Sequence, residues 1–123
     1  MKKILIVEDE LIIQLVNKQI VKEAGFFITD AVATGEAAME SVRNNPPDLI
    51  LMDIKLEGKI DGVEAMQQIR TFSEVPVIYI TGNSDPFHYN RAKETGMSAF
   101  LTKPVDYDLM IKTIHHALAE VIS

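Results

Sequence analysis

The stretch ILIVEDE, residues 4–10, decides the fold. Four apolar residues run straight into the carboxylates of Glu8, Asp9 and Glu10. A run this short and this continuously apolar reads as a strand covered on both faces, because a half-exposed strand would alternate. The acids that follow it then sit at one end of a buried sheet. Five runs share this character: 3–7 (KILIV), 26–32 (FFITDAV), 48–52 (DLILM), 76–80 (PVIYI) and 97–101 (MSAFL).

Amphipathic segments lie between and after them. Residues 10–24 put Ile12, Val16 and Ile20 at i, i+4, i+8, with Ile13 and Val21 alongside, and Gly25 supplies a stop. Residues 35–44 carry Ala38 and Val42, and Pro46-Pro47 bars continuation. Residues 62–71 carry Val63, Met66 and Ile69 behind a cap at Asp61. Residues 86–95 follow Ser84-Asp85-Pro86, a cap with proline in the first turn, and end at Gly96. Residues 106–121 align Met110, Ile114, Ala117, Leu118 and Val121 on one stripe.

Strict alternation of strand and helix predicts an α/β fold with helices on both faces of a parallel sheet. Right-handed crossovers narrow this to a doubly wound, flavodoxin-like (βα)5 sheet of five strands in the order 2-1-3-4-5. Its ligands are expected beyond the carboxyl ends of the strands. A chain of 123 residues suits one domain, read here as 1–123, and can bury a core without staples.

Composition narrows the function. There is no cysteine, which removes a disulfide framework and a thiolate metal site and suits a reducing compartment. The net charge is −6 and the twelve basic residues form no run, which argues against a general grip on nucleic acid. The MKKILIV start has the look of a secretory signal, but the acids at 8–10 cut its apolar run short. No segment reaches membrane-spanning length. A soluble, cytoplasmic protein is the expectation.

At the strand ends the chemistry converges. Glu8 and Asp9 follow the first strand, Asp53 the third, Thr81 the fourth and Lys103 the fifth. The first and third strands are neighbours in the expected order, about 5 Å apart, so the three acids should cluster. Clustered carboxylates raise one another's pKa, and a divalent cation relieves them. An all-oxygen donor set selects Mg2+, with Mn2+ as a substitute. A cation and a lysine around one carboxylate point to phosphoryl transfer. Asp53 would be the nucleophile, Lys103 would neutralise phosphoryl charge, and Thr81 would donate a hydrogen bond. Singly, each residue has an ordinary reading: an acid after a strand caps a helix, a threonine makes a turn, a lysine before proline is solvated. The chemistry rests on the ordered set.

ILIVEDE, DLILMDIKLEGKIDGVE, VIYITGNSD and AFLTKPVD together resemble the signature segments of response-regulator receiver domains, the CheY-like modules of two-component signalling. The resemblance covers essentially the whole chain. It implies that Asp53 accepts a phosphoryl group from a sensor histidine kinase or phosphotransfer protein. It implies that Glu8, Asp9, Asp53 and the backbone carbonyl of Lys55 hold Mg2+. Thr81 matches the switch hydroxyl, Phe100 the switch aromatic and Lys103 the phosphate-binding lysine, with a cis bond to Pro104. Lys55 and Asn83 match positions that tune phosphoryl lifetime. The implied mechanism is a two-state switch. Phosphorylation draws Thr81 in, Phe100 turns inward, and the surface of the fourth helix, fifth strand and fifth helix is remodelled for a protein target or output domain. The resemblance implies no separate substrate turnover.

Two departures stand out. Glu57 occupies the position where a proline is commonest, and the loop KLEGKIDG is one residue longer than usual, so it is expected to be more mobile. The acidic pair is Glu-Asp, which makes Asp9 the firmer direct ligand. Outside these motifs, Phe87, His88 and Tyr89 open the fourth helix as either a partner patch or ordinary surface. His88, His115 and His116 make no metal set. A homodimer through the fourth helix, fifth strand and fifth helix is left open. Three other functions compete with this one. An aspartyl-nucleophile phosphohydrolase would want a second acid where Lys55 stands. A flavin carrier would place phosphate where EDE repels it. A pseudo-receiver binding module would not need the acceptor, the acidic pair and the lysine together.

Overall fold

The computed structural model describes residues 1–122, with side chains through Ala119. Strand and helix alternate throughout: β1 (Lys3–Val7), α1 (Leu11–Glu23), β2 (Phe27–Val32), α2 (Gly35–Asn44), β3 (Leu49–Met52), α3 (Gly62–Ile69), β4 (Val77–Thr81), α4 (Pro86–Glu94), β5 (Ala99–Thr102) and α5 (Tyr107–Ile122). The strands form one parallel sheet in the order β2-β1-β3-β4-β5, as the apolar runs predict.

The continuous runs are explained by two cores. Leu5 and Val7 of β1, with Ile50, Met52 and Tyr79, pack against Ala38, Val42, Val63, Met66 and Ile69 of α2 and α3. Ile4 and Ile6 alternate to the other face with Leu49, Leu51, Ile78 and Ile80, under Val21 of α1 and Met110, Ile114, Ala117 and Leu118 of α5. Side chains in a strand point to opposite faces in turn, so a strand covered on both sides is apolar at every position. The Val121 place in the expected α5 stripe lies outside the described side chains. Among the described residues, no helix is long and apolar enough to cross a membrane.

Three expectations are corrected. The α1 stripe was expected to run through Ile12, Val16 and Ile20. Instead Ile12 is 77% exposed, Leu11 and Leu15 are also exposed, and the inward face carries Ile13, Asn17 and Val21. This helix is apolar nearly all round at its start, so periodicity could not choose the face, and a polar residue took a core place. Thr81 is the last residue of β4 rather than the first past it. The loop after β3 is tied down: Thr34 bridges Glu57, Glu36 accepts from the Lys59 N–H at 3.1 Å, and Asp61 pairs with Arg91 of α4 at 2.8 Å. Within this loop Gly58 has φ of +98° and faces the Glu36 carboxylate.

Candidate functional site

Each acid reaches the carboxyl edge of the sheet because its strand ends there. The Asp53 N–H donates to the Val7 carbonyl at 3.0 Å, which continues the β1–β3 ladder one residue past the strand. The Glu8 N–H donates likewise to Val32 at 2.9 Å. Glu8, Asp9 and Asp53 each offer a carboxylate oxygen within 4.8 Å of the other two. Glu8 and Asp53 are 3% and 5% exposed, which is unusual for acids without charged partners.

That partner is Lys103. Its ammonium lies 2.7 Å from Glu8 Oε1 and 2.7 Å from Asp53 Oδ2, with Glu10 at 4.0 Å. The bond from Lys103 to Pro104 is cis. The remaining carboxylate oxygens are also held: Asp53 Oδ1 accepts from the Ile54 N–H at 2.7 Å and Glu8 Oε2 from the Glu10 N–H at 3.1 Å. Burial still dominates Glu8. Its pKa is pushed up to about 7, chiefly by desolvation and further by the Asp53 charge, against the hydrogen bonds from Lys103 and Glu10. Burial pulls Lys103 down, but its bonds to Asp53 and Glu8 more than offset this and raise its pKa.

A cleft of about 240 Å³ opens over these groups, lined by Asp9, Glu10, Asp53, Lys55, Gly82, Asn83 and Lys103. Thr81 is fully buried beside it, and its Oγ1 accepts from the Asn83 N–H at 3.1 Å. Phe100 is half-buried, set between the Tyr79 and Tyr89 rings at 6.2 and 5.1 Å. Tyr79 is buried, its hydroxyl 2.8 Å from Thr95, and burial pushes its pKa up to about 12.

Two supporting residues escaped the sequence reading. Gln14 Nε2 donates to the carbonyls of Glu8 and Val32 at 3.0 and 3.2 Å and locks the ends of β1 and β2. Gly62 lies directly against the Asp53 carbonyl, where a Cβ would fall on the oxygen. Neither contact has a signal in the residue types alone, because each depends on how a helix start is set against a strand end.

The donor set is three carboxylates with no soft ligand, which fits a hard divalent cation. The charge-paired lysine and carboxylate in an open cleft fit transfer of an anionic group.

Comparison places these residues in a known context. The family model for the response regulator receiver domain matches residues 4–115. The transcriptional regulatory protein PdtaR of Mycobacterium tuberculosis is 30% identical over 118 residues, covering 96% of this chain and 57% of that protein. CseB of Streptomyces coelicolor, also a transcriptional regulatory protein, is 33% identical over 115 residues, covering 94% of this chain and 48% of its own. The chain thus spans about half the length of the curated relatives it matches. Among solved structures, a CheY-like response regulator receiver domain protein from Methanospirillum hungatei superposes with a TM-score of 0.92 at 27% identity, covering 98% of this chain and 95% of that one. The signal receiver domain of a modulated diguanylate cyclase from Desulfovibrio desulfuricans gives 0.90 at 29%, with the same coverage. With the fold, the acid cluster and the paired lysine in place, the match over residues 4–115 shows that the chain belongs to the response regulator receiver domain family of two-component signalling.

Proposed function

We propose that residues 1–123 form one receiver unit whose Asp53 accepts a phosphoryl group from a sensor histidine kinase or phosphotransfer protein. The observation that carries this is the Lys103 ammonium, 2.7 Å from both Asp53 Oδ2 and Glu8 Oε1 at the mouth of the cleft. An Asp53 oxygen bonds to phosphorus as the bond to the donor breaks, and the bonding pair leaves with the donor. The product carries more negative charge than the carboxylate did, and Lys103 stays within reach of it. Glu8, Asp9, Asp53 and the Lys55 carbonyl would hold Mg2+, or Mn2+ in its place. When bound, the cation screens the negative charge of the phosphoryl oxygens.

Thr81 gives up its Asn83 contact to donate to a phosphoryl oxygen. Phe100 then moves in its slot between Tyr79 and Tyr89, which remodels the surface of α4, β5 and α5. That surface addresses a protein target or output domain, or a second copy of the chain. Lys55 and Asn83 line the cleft and set how water reaches the acyl phosphate, hence its lifetime. Leu11, Ile12 and Leu15, exposed beside the acids on α1, suit the landing of a phosphodonor protein. The unit works as a switch in the cytoplasm, with no turnover of a separate substrate and no direct contact with nucleic acid or membrane.

The test is intact mass after incubation with acetyl phosphate and Mg2+, with Asp53→Asn as control. One base-labile phosphoryl group is expected, absent in the variant and absent without the cation. No adduct, together with no binding of a beryllofluoride mimic, would overturn the reading in favour of a pseudo-receiver binding module.

A further inference from the structure

Asn17 is the polar residue among the buried residues of α1, on its inward face between Ile13 and Val21, and it is 3% exposed. Its Oδ1 is buried without a hydrogen-bond partner among the described residues. Such an acceptor loses its hydration with nothing in return, and buried polar groups almost always have a partner.

Two spaces meet at this side chain. One is a groove of about 410 Å³ between α1 and the β5–α5 connection, walled by Ile13, Pro104, Val105 and Tyr107 and bordered by Lys103. The other, of about 10 Å³, lies under the acid cluster and is bounded by Glu8, Asp53, Asn17, Ile80 and residues of β1 and β3. Asn17 and Ile80 border both, so the two spaces adjoin at these side chains. The smaller space is about the room one water needs. Its polar lining residues are Asn17, whose oxygen has no partner among the described residues, and Glu8 and Asp53, whose carboxylates have lone pairs left over. A molecule that donates twice fits them, and water does so at this size.

We infer that one buried water sits in this space, donating to Asn17 Oδ1 and to the Glu8–Asp53 carboxylate pair, and that Asn17 is thereby a positioning residue for the acid cluster. The water gives the pair a second support besides Lys103, from the space it shares with Asn17, so both acids stay turned toward the cleft. The groove gives it a short route for exchange with solvent. Partners of this kind, one step behind the groups that bind a cation, commonly affect affinity as much as orientation.

The inference about positioning rests on the cation reading proposed above; the water itself does not. The experiment compares the wild-type chain with Asn17→Leu, which fills the site with a near-isosteric apolar group. High-resolution density and water–amide NOEs should show an ordered water in the wild type and none in the variant. Calorimetric titration should show Mg2+ bound about tenfold more weakly by the variant, with a melting temperature equal to or above that of the wild type. A merely structural role would instead lower the melting temperature and leave affinity alone. Absence of the water from wild-type density overturns the inference outright. A water that is present with Mg2+ affinity changed less than about twofold overturns the positioning role. If the wild type binds no Mg2+, the cation reading fails and the positioning role fails with it, while the density still decides the water.

Discussion

At the scale of the residue, the site is held together by one cation among acids. Lys103 pairs with both Glu8 and Asp53, yet the Glu8 pKa is still pushed up to about 7 because burial outweighs the lysine. Glu8 therefore binds its proton more tightly in the folded protein than in the unfolded chain, whose value is near 4.5. The contribution of Glu8 to folding stability should be full below about pH 4.5, fall as pH rises toward 7, and level off above it, while Glu36 and Asp85, held below their usual values, contribute in the opposite sense at acid pH. The loss is on the order of 3 kcal/mol. Urea melts in a chelator across this range should show the slope, and Glu8→Gln should remove it. Added Mg2+ favours the ionised acid and should flatten it as well; a flat profile for the wild type in chelator would contradict the burial of this group. Asp53, Asp9, Glu8 and Lys103 were legible in the sequence because strand ends are legible and a parallel sheet brings them to one edge. Asn17 and Gln14 were not. Their roles depend on which way α1 is turned, and Leu11, Ile12, Leu15 and Val16 gave its first turns apolar residues on every side.

At the scale of the element, the end of β3 is shaped by the start of α3. The Gly62 N–H donates to the Ile54 carbonyl at 2.7 Å, and Asp61 caps the helix through a reciprocal pairing with Glu64. That turn presses Gly62 onto the Asp53 carbonyl, so any side chain there collides with backbone rather than with a movable group. Gly62→Ala should cost about 3 kcal/mol in urea melts and displace Asp53, with loss of its phosphorylation by acetyl phosphate. Gly82, which also borders the cleft, has nothing within 4 Å of the corresponding position. Gly82→Ala should stay within about 0.5 kcal/mol of the wild type and keep the reaction. Equal effects at the two glycines would mean that steric contact with the acceptor strand is not what requires Gly62. The asymmetry was hidden in the sequence, where the Asp61-Gly62 pair signals a helix start and nothing about its neighbour across the loop. The same holds for the loop before it. Its length predicted freedom, while the ties to Thr34, Glu36 and Arg91 come from other elements.

At the scale of the whole molecule, the sheet is secured unequally from centre to edge. β1, β3 and β4 are buried along almost their full length, whereas the edge strands β2 and β5 are only partly buried, and β5 is the one that borders the site's Thr81 and Lys103. Of the α4 residues only Ala92 is buried, and the helix is held mainly through polar ties: Asp61 to Arg91, and Tyr79 to Thr95 at its C-terminal end. Elements with few buried apolar contacts open at lower free energy than the core. Thr81 and Phe100 lie where the firm part meets this looser part. A change at Asp53 should therefore be expressed in α4 and β5, because moving them disturbs little of either core. Amide exchange with and without Mg2+ and beryllofluoride tests this. Protection should change by about tenfold in residues 82–102, while β1 and β3 change only slightly. A uniform rise in protection across the sheet would instead mean that the ligand merely stabilises the folded state as a whole. In that case the shallow burial of α4 and β5 would not direct the signal, and the α4–β5–α5 surface would lose its claim to be the responding face.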